Sequence, residues 1–367
     1  MAPPWSERSR ELLAYLDQSL ASRAPVTYQR RFVDGYVPNT SSLLPPDLAE
    51  ALAAEGGMRG QQPAGTYVRK VLEQLLIDLS WSSSKLEGNH YSLLETQQLF
   101  ASGAQDGDTD AVMLLNHKRA IEFMVDAVPS YGLEAPVVRN VHSLLMQDLL
   151  PDADSLGAIR TKVVNITGTV YLPTQVPSLL EDMFATVLAH ARLIKNPVEA
   201  SFFLWVNLAY LQPFEDGNKR CSRLAANIPL MLYNCAPLSF LDVDQRDYAN
   251  AMLGVYERLD VSAAVDLFVW TYRRSIRKYS VILEAMGQPD PFRIKHRERL
   301  NDAVQAVVRE GRTAASAVGA LGLAQQEVPR FAQMLEDELS KLTVNNCARY
   351  RLAMAAVDRW VAGGRPR

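Results

Sequence analysis

The chain has 367 residues, of which 48% are hydrophobic and 22% are charged, the composition of an ordinary folded globular protein. Its formal net charge of −3 gives no general attraction to nucleic acid or to an anionic membrane. Cys221, Cys235 and Cys347 are too far apart to suggest a disulfide framework or a metal knuckle. We find neither an apolar signal core at the start nor an apolar run of about 18 residues, so we expect a cytoplasmic protein without a membrane span.

Helical periodicity dominates the first part of the chain. Apolar side chains spaced three and four residues apart predict an amphipathic helix over residues 12–20 and a longer helix over residues 68–88. The longer helix ends at Gly88-Asn89, a typical C-terminal stop signal. Shorter helices are predicted over residues 92–100, 113–128 and 136–150, the second of them ending before Pro129.

One β signal lies between residues 161 and 172. Two runs rich in β-branched and aromatic residues, 163–166 and 170–172, flank Thr167-Gly168, which suits a tight turn. We therefore predict a small β-hairpin here.

Helical signals return after residue 195. Asn196 can cap a helix that runs to about Tyr210, with Glu199 reaching back to complete a capping box. A new helix begins near Asn218, and helices continue from Asp247 to a linker at residues 287–291. The last segment, 293–361, is also helical. The predicted fold class is therefore all-α, with one small hairpin.

The loop over residues 212–223 carries the chemistry. Gly217 permits close backbone approach, and the N–H groups that start the next helix point into the loop with the positive end of the helix dipole behind them. Arg220 and Arg223 project from one side of that helix, and Glu215 and Asp216 could hold a hydrated Mg²⁺. This arrangement suits a nucleoside triphosphate. The alternative is a helix–loop–helix turn whose charges only cap and solvate.

The same loop resembles that of the Fic family, which reads His-Pro-Phe-x-(Asp/Glu)-Gly-Asn-Gly-Arg-x-x-Arg. The matching positions are Pro213, Phe214, Asp216, Gly217, Asn218, Arg220 and Arg223. The resemblance implies the mostly helical Fic fold and transfer of AMP from ATP to a hydroxyl of a target protein. It also implies that Phe214 anchors the loop and that Asp216 holds Mg²⁺. Phosphates would be cradled by Gly217, Asn218 and Arg220, and the γ-phosphate gripped by Arg223.

The loop departs from the family pattern at two positions. Gln212 stands where the family has its catalytic histidine, and a carboxamide has no usable basicity near neutral pH. Losing a positioned base typically costs about 10²–10⁴ in rate, so Gln212 would orient a hydroxyl or phosphate instead. Lys219 replaces a glycine and adds a positive charge beside the phosphate site, which resembles the Doc-type phosphotransferase branch. We interpret His117 as a hydrogen-bonded structural residue and not as a substitute base.

A second segment with a family resemblance precedes the loop in the chain. Ser83 to Asn89 resembles the family's inhibitory helix, Ser/Thr-x-x-x-Glu-Gly/Asn, with Ser83, Glu87 and Gly88 at the matching positions. A carboxylate at the C-terminal end of a helix opposes the dipole, so Glu87 suits a cationic partner. The resemblance implies that this partner is Arg223 and that Glu87 blocks productive ATP binding. The alternative is a surface glutamate at a helix end.

The predicted hairpin resembles the family's flap, to which a target segment adds as an extra strand. The docking residues would be Thr169, Val170, Tyr171 and Leu172. The alternative is an inert surface hairpin.

We predict three regions: an N-terminal helical region over residues 1–105 that includes the inhibitory helix, a Fic core over 106–285, and a C-terminal helical region over 292–367. The hypotheses for function are an autoinhibited adenylyltransferase weakened by Gln212, a catalytically inactive nucleotide- or partner-binding regulator, and a Doc-type phosphotransferase. Basic residues of the last region are interspersed with acids, so we do not expect nucleic-acid binding. A homodimer is left open.

Overall fold

The computed structural model describes residues 3–58, 62–103, 108–285 and 291–366. The chain divides into two units, Met1–Ala285 and Met286–Arg367. The predicted regions 1–105 and 106–285 both lie in the first unit, and the boundary between them stays a prediction. None of the described helices is both long and apolar enough to cross a membrane.

The first unit is mostly helical, which confirms the predicted fold class. Its helices are α1 (Glu7–Leu16), α2 (Arg31–Asp34), α3 (Pro46–Gly56), α4 (Thr66–Lys70), α5 (Leu72–Lys85), α6 (Leu93–Ser102), α7 (Thr109–Tyr131), α8 (Ala135–Met146), α9 (Pro177–Leu193), α10 (Pro197–Leu211), α11 (Asn218–Ala225), α12 (Asn227–Leu232), α13 (Gln245–Arg258) and α14 (Ser262–Ala285). Two short strands, β1 (Val26–Thr27) and β2 (Tyr171–Leu172), form one parallel pair.

Helix α10 forms the centre of the first unit because its residues are apolar on every side and all of them are buried. It packs against α3, α9, α11, α12 and α13. Asn196 caps it as predicted, accepting from the N–H groups of Val198 and Glu199. The predicted capping box is wrong: the Glu199 carboxylate instead accepts from Tyr36 and from the backbone of Leu43 and Leu44, and so ties the N-terminal region to α10.

Two predicted helix boundaries are corrected. Residues 68–88 do not form one helix, because Val71 separates α4 from α5, and α5 ends at Lys85, so Glu87 lies in the turn that follows. Helix α7 continues through Pro129 to Tyr131. A proline inside a helix leaves the carbonyl four residues earlier without a partner. Here that carbonyl belongs to Val125, and it accepts from Arg69 at 3.4 Å.

The predicted β-hairpin is also corrected. Only residues 171–172 form a strand, and their partner is β1 in parallel, not residues 163–166. The first run is not a strand because the side chain of Gln175 takes both backbone groups of Val164, accepting from its N–H at 3.1 Å and donating to its carbonyl at 3.0 Å. The turn at residues 167–168 is present, with Gly168 at φ 78°.

The second unit has its own apolar core, which includes Phe331, Leu335 and Trp360. Its helices are α15 (Pro291–Lys295), α16 (Arg297–Glu310), α17 (Ala314–Gly319), α18 (Val328–Lys341) and α19 (Met354–Ala362). Residues 287–290 of the predicted linker lie outside the described residues, and residue 291 begins α15.

Candidate functional site

The candidate site is built on the loop that joins α10 to α11. Helix α10 ends at Leu211, and Gln212 turns the chain with a left-handed backbone at φ 53°. Gly217 takes a second left-handed conformation at φ 72°, immediately before α11 begins. A Cβ at Gly217 would lie 2.5 Å from Sδ of Met146, so glycine lets the loop pack closely against α8.

Asn218 and Phe214 fix the shape of this loop. The side-chain oxygen of Asn218 accepts from the N–H of Phe214, and its Nδ2 donates to the carbonyl of Phe214, both at 2.8 Å. The buried Phe214 ring stacks on the imidazole of His142 at a centroid distance of 3.9 Å and meets the edge of Phe184. The loop therefore has one well-packed shape with Phe214 at its base.

His142 is a site residue that the sequence reasoning missed. Its Nδ1 accepts from the N–H of Gly157 at 3.0 Å, so the proton is on Nε2, which donates to the carbonyl of Asp216 at 2.9 Å. Burial lowers the pKa of His142 to about 4, so the ring is neutral at pH 7. His142 and Asp216 are 74 residues apart, and no motif in the sequence links them.

Arg223, in the last turn of α11, meets Glu87. The fully buried guanidinium of Arg223 donates from Nη2 to Oε1 of Glu87 at 2.7 Å. It also donates to the hydroxyl and the carbonyl of Ser83 at 2.9 and 3.0 Å, and it lies over the ring of Tyr248 at 4.9 Å. Lys219 approaches the other carboxylate oxygen of Glu87 at 3.2 Å. The structure thus brings together Ser83, Glu87, Lys219 and Arg223.

The carboxyl group of Glu87 is held in its ionised form. Burial alone raises its pKa, but the charges of Arg223 and Lys219 and the hydrogen bond from Arg223 outweigh that effect and lower the pKa to about 2. Glu87 is therefore an anion throughout the physiological pH range. Gly88 follows at φ 92°, a conformation that suits glycine and ends the turn.

A chain of hydrogen bonds supports Arg223 from behind. The Ser83 hydroxyl accepts from Arg223 and lies 3.0 Å from Nε2 of His117, whose Nδ1 lies 2.9 Å from the carbonyl of Met113. Since a carbonyl only accepts, Nδ1 carries the proton and the serine donates to Nε2. Burial lowers the pKa of His117 to about 3, so it is a neutral structural histidine, as predicted from the sequence.

Arg220 retains hydrogen-bonding capacity that no described residue uses. Its Nη2 donates to Oδ2 of Asp216 at 3.2 Å, whereas its Nη1 is buried and has no hydrogen-bond partner in the described part of the chain. Burial lowers the pKa of Arg220, which is the effect expected of a cation shielded from water. An unpartnered buried guanidinium N–H is costly, so an anion beside it would stabilise the site.

The residues around the loop fit the way Mg²⁺ binds with a nucleotide. The carboxylate of Asp216 is largely exposed, at 66% of its side-chain surface. Among the described residues there is no group of three or more histidine, cysteine or acidic side chains that could cage a metal. Mg²⁺ is usually held by one or two carboxylates together with substrate phosphates and water, and Asp216 could supply such a carboxylate.

Gln212 faces the core. Its side chain is buried, and Nε2 donates to the carbonyl of Ala209 at 2.6 Å and to the hydroxyl of Tyr256 at 3.3 Å. The carbonyl of Gln212 accepts from Nε of Arg160 at 2.8 Å. Gln212 is therefore hydrogen-bonded within the protein and has no carboxamide N–H directed to Asp216 or Arg220.

The predicted flap lies against the loop. Arg160 donates from its backbone to the carbonyl of Pro213 at 3.0 Å and from its guanidinium to the carbonyl of Thr174, so it joins the flap to the loop. The hydroxyl of Tyr171 donates to the carbonyl of Tyr210 at 2.7 Å. Val170 and Leu172 are both engaged by β1. Of the four predicted flap residues, Tyr171 contacts the carboxyl end of α10, and Thr169 and Val170 bond to Glu257 of α13.

A cavity of about 790 Å³ lies beside the turn that carries Glu87. One wall is formed by α5 and the turn, including Trp81, Lys85 and Gly88, and the other by residues 240–247. Lys85 lies over the Trp81 ring at 4.8 Å. The turn is therefore unsupported by protein on this side.

The loop and α11 together present a helix N-terminus, two buried arginines and an exposed carboxylate within a mostly helical fold. Residues 132–230 match the family model described as Fic/DOC family, and the chain contains a domain of that family. The protein adenylyltransferase fic-1 of Caenorhabditis briggsae is 24% identical over 224 residues, which cover 58% of this chain and 43% of the relative. The chain thus spans less than half the length of that relative.

Solved structures share the fold. Fic-1 (aa134–508) from C. elegans superposes with a TM-score of 0.52 at 18% identity, covering 76% of each chain. A Fic family protein from Desulfovibrio desulfuricans G20 superposes with a TM-score of 0.51 at 18% identity, covering 83% of this chain and 92% of that one. At these identities the likeness concerns the fold alone.

Proposed function

We propose that this chain binds ATP at the loop between Phe214 and Arg223 and transfers AMP to a hydroxyl of a target protein, with weak activity and under inhibition by Glu87. The observation that carries the proposal is the bond between Glu87 and the buried guanidinium of Arg223 at 2.7 Å, with Lys219 on the other carboxylate oxygen. An isolated buried arginine is costly, so it needs an anion. Glu87 supplies that anion here, and the terminal phosphate of ATP is an alternative one.

The remaining donors of the site suit the rest of a triphosphate. The backbone N–H groups that open α11, Gly217 at the close approach, Asn218 and the unpartnered Nη1 of Arg220 would cradle the inner phosphates. Asp216 would hold Mg²⁺, which neutralises phosphate charge when bound. In the transfer step the acceptor oxygen bonds to the α-phosphorus, the bond from that phosphorus to the β-phosphate oxygen breaks, and pyrophosphate leaves.

The hydroxyl proton has no protein base at residue 212. Gln212 cannot accept it near neutral pH, so the proton passes to solvent, and the expected rate is lower by about 10²–10⁴ than with a positioned base. The inward hydrogen bonds of Gln212 to Ala209 and Tyr256 favour a second candidate function, in which the chain binds nucleotide or a partner as an inactive regulator. Lys219 alone favours the third candidate, Doc-type phosphotransfer.

Incubation with ATP labelled separately at the α- and γ-phosphorus tests these three functions. We expect protein-bound α label, raised when Glu87 is replaced. Protein-bound γ label would instead identify phosphotransfer. Tight ATP binding without either label would identify a regulator, and no ATP binding by any variant would overturn the proposal for the loop.

Glu87→Gly is expected to tighten ATP binding by at least about ten-fold, or about 1.4 kcal/mol, because Arg223 and Lys219 become free for phosphate. Glu87→Gln should act in the same direction while keeping the side chain's size. Isothermal calorimetry measures both. Glu95→Gly is the matched control, since Glu95 caps α6 and its carboxylate bonds to Ser92. Unchanged ATP affinity in both Glu87 variants would remove the inhibitory role.

A further inference from the structure

The flap strand β2 is paired with a strand from the chain's own N-terminal region. The N–H of Val26 donates to the carbonyl of Val170 at 3.0 Å, and the N–H of Tyr28 donates to the carbonyl of Leu172 at 3.2 Å. These two bonds belong to a parallel pair in which Val26 is opposite Tyr171. The backbone edge of β2 that could accept a strand from another protein is therefore occupied by β1.

A buried ion pair holds β1 on this edge. Arg23 donates to both carboxylate oxygens of Glu257, at 2.9 and 3.1 Å, and both side chains are at most 5% exposed. The same carboxylate accepts from the hydroxyl of Thr169 at 2.7 Å and from the N–H of Val170 at 3.3 Å. Glu257 therefore joins the start of β1 to the start of β2.

The opposite edge of β2 offers little to an incoming strand. In a parallel pair, successive residues direct their backbone groups to opposite edges, so the N–H of Tyr171 faces away from β1. That N–H is already bonded to the side-chain oxygen of Thr169 at 3.1 Å. A segment that docks on β2 by backbone bonds would thus compete with β1 for Val170 and Leu172.

The contact of β1 and the adjoining Tyr28 with the flap is not optimal. The Tyr28 ring is buried against Tyr210, with centroids 4.9 Å apart, but its hydroxyl is buried without a hydrogen-bond partner in the described part of the chain. A buried hydroxyl without a partner costs free energy that a phenylalanine at the same place would not. The pair is also only two residues long, and two-stranded pairs of this size contribute little by themselves.

We propose that β1 is an exchangeable occupant of the flap edge, and that the partner is an extended protein segment that runs parallel to β2. The partner's residue equivalent to Tyr28 would be aromatic without a buried hydroxyl, as in phenylalanine. This inference rests on the proposed function in one respect, since it takes the flap as the place where a target docks. It adds a gate on target access that is separate from the contact of Glu87 with Arg223.

Peptide binding to full-length variants tests the exchange without any nucleotide. Val26→Pro removes the N–H that bonds to Val170, whereas Thr27→Pro introduces the same ring at a residue that donates no bond to β2. The probe is a fluorescent peptide that copies residues 23–30, and a second probe carries phenylalanine in place of its tyrosine. We expect Val26→Pro to bind the first probe at least ten-fold more tightly than wild type, Thr27→Pro to match wild type, and the second probe to bind more tightly than the first.

Hydrogen exchange at the amide of Leu172 monitors whether the edge has opened. Faster exchange in Val26→Pro with no gain in peptide binding would overturn the proposal, and so would equal binding to wild type and to Val26→Pro. If Val26→Pro loses its helical circular-dichroism signal, Arg23→Gln is used in its place. Arg23→Gln weakens the pairing with Glu257 and keeps the backbone N–H groups of β1. A failure of ATP binding elsewhere in the molecule would leave these peptide results unchanged, so the two proposals fail separately.

Discussion

The two ends of the loop between α10 and α11 differ in why each falls short of the family pattern: at one end the charged groups are occupied, and at the other a base is missing. At the α11 end, Arg223, Lys219 and Arg220 supply the charges that a triphosphate requires, and Glu87 occupies the first two of them. At the α10 end, Gln212 is neutral and hydrogen-bonded to Ala209 in the core. The α11 end is blocked by a contact between side chains. The α10 end instead carries a different residue from the histidine of the family pattern.

This difference separates binding from chemistry. A contact between side chains is broken by any change that moves the turn after α5, and the 790 Å³ cavity beside that turn leaves room for it to move. No movement of the chain turns a carboxamide into a base. Under the proposed function, ATP binding can be switched on by moving Glu87, whereas full transfer activity requires a change of residue 212 or a proton acceptor from the target.

The largest expected effect comes from restoring a base at the α10 end. In a Glu87→Gly background, Gln212→His should raise the transfer of α label to protein by about 10²–10⁴ relative to Glu87→Gly alone. Histidine tolerates the left-handed backbone of this position better than most residues do. Single-turnover labelling with α-labelled ATP measures the rate.

The matched control for this experiment is Gln212→Asn, which changes the side chain without adding a base. It should leave the transfer rate of the Glu87→Gly background within a few-fold. If histidine and asparagine give the same low rate while ATP still binds, the α10 end is limited by the inward orientation of residue 212 and not by the lack of a base.

A smaller effect is expected on the pH dependence of stability, and it comes from His142, which supports the loop between these two ends. The pKa of His142 is about 4 in the folded protein and 6.5 in the unfolded chain, so the unfolded state binds more protons between these values. Its contribution to the free energy of unfolding is therefore complete above pH 6.5 and lost as the pH falls toward 4, by about 3 kcal/mol. His142→Gln keeps a donor for the Asp216 carbonyl and should flatten this part of the stability profile.

Urea unfolding at several pH values between 4 and 7 measures that profile. His90→Gln is the control, because the side chain of His90 is 92% exposed and pairs with Asp110 only at the surface, so we expect the wild-type profile. A slope that persists in full in His142→Gln would mean that His117, whose pKa burial lowers to about 3, accounts for the acid sensitivity.

The turn at Gly217 and the start of α11 could be predicted from the sequence because their signals are local. The glycine, the arginines and the helix start lie within twelve residues, and spacing along one helix places Arg220 and Arg223 on the same side. Their roles toward phosphate were implied by the resemblance and stay predictions. The pairing of Glu87 with Arg223 was implied by the resemblance to the Fic family, and the two side chains are in contact. By contrast, His142 and Arg160 bond to the loop from distant parts of the chain. No motif in the residues around them marks them as site residues.

The strand prediction failed for a related reason. Residues 163–166 have strand-forming side chains, but β propensity describes how side chains fit a pleated surface and says little about which backbone is available as a partner. The side-chain amide of Gln175 bonds to the backbone of Val164, and the distant strand β1 pairs with residues 171–172. The continuation of α7 past Pro129 likewise depends on a tertiary contact, that of Arg69 with the carbonyl of Val125.

The smallest expected effect tests whether Lys219 belongs to the block or to the binding site at the α11 end. Its side chain is 41% exposed and its pairing with Glu87 at 3.2 Å is that of a surface ion pair, worth about 0–1 kcal/mol. Lys219→Ala loosens Glu87 but also removes a positive charge from the phosphate site, and the two effects oppose each other. ATP affinity in wild type should change by less than about five-fold, whereas in the Glu87→Gly background only the second effect remains and affinity should fall.

Lys85→Ala removes the same charge from the neighbouring helix, where Lys85 contacts Trp81, and should leave calorimetric affinity unchanged in both backgrounds. An increase of ATP affinity on Lys219→Ala in the Glu87→Gly background would mean that Lys219 opposes nucleotide, and the α11 end would then be blocked by more than one residue.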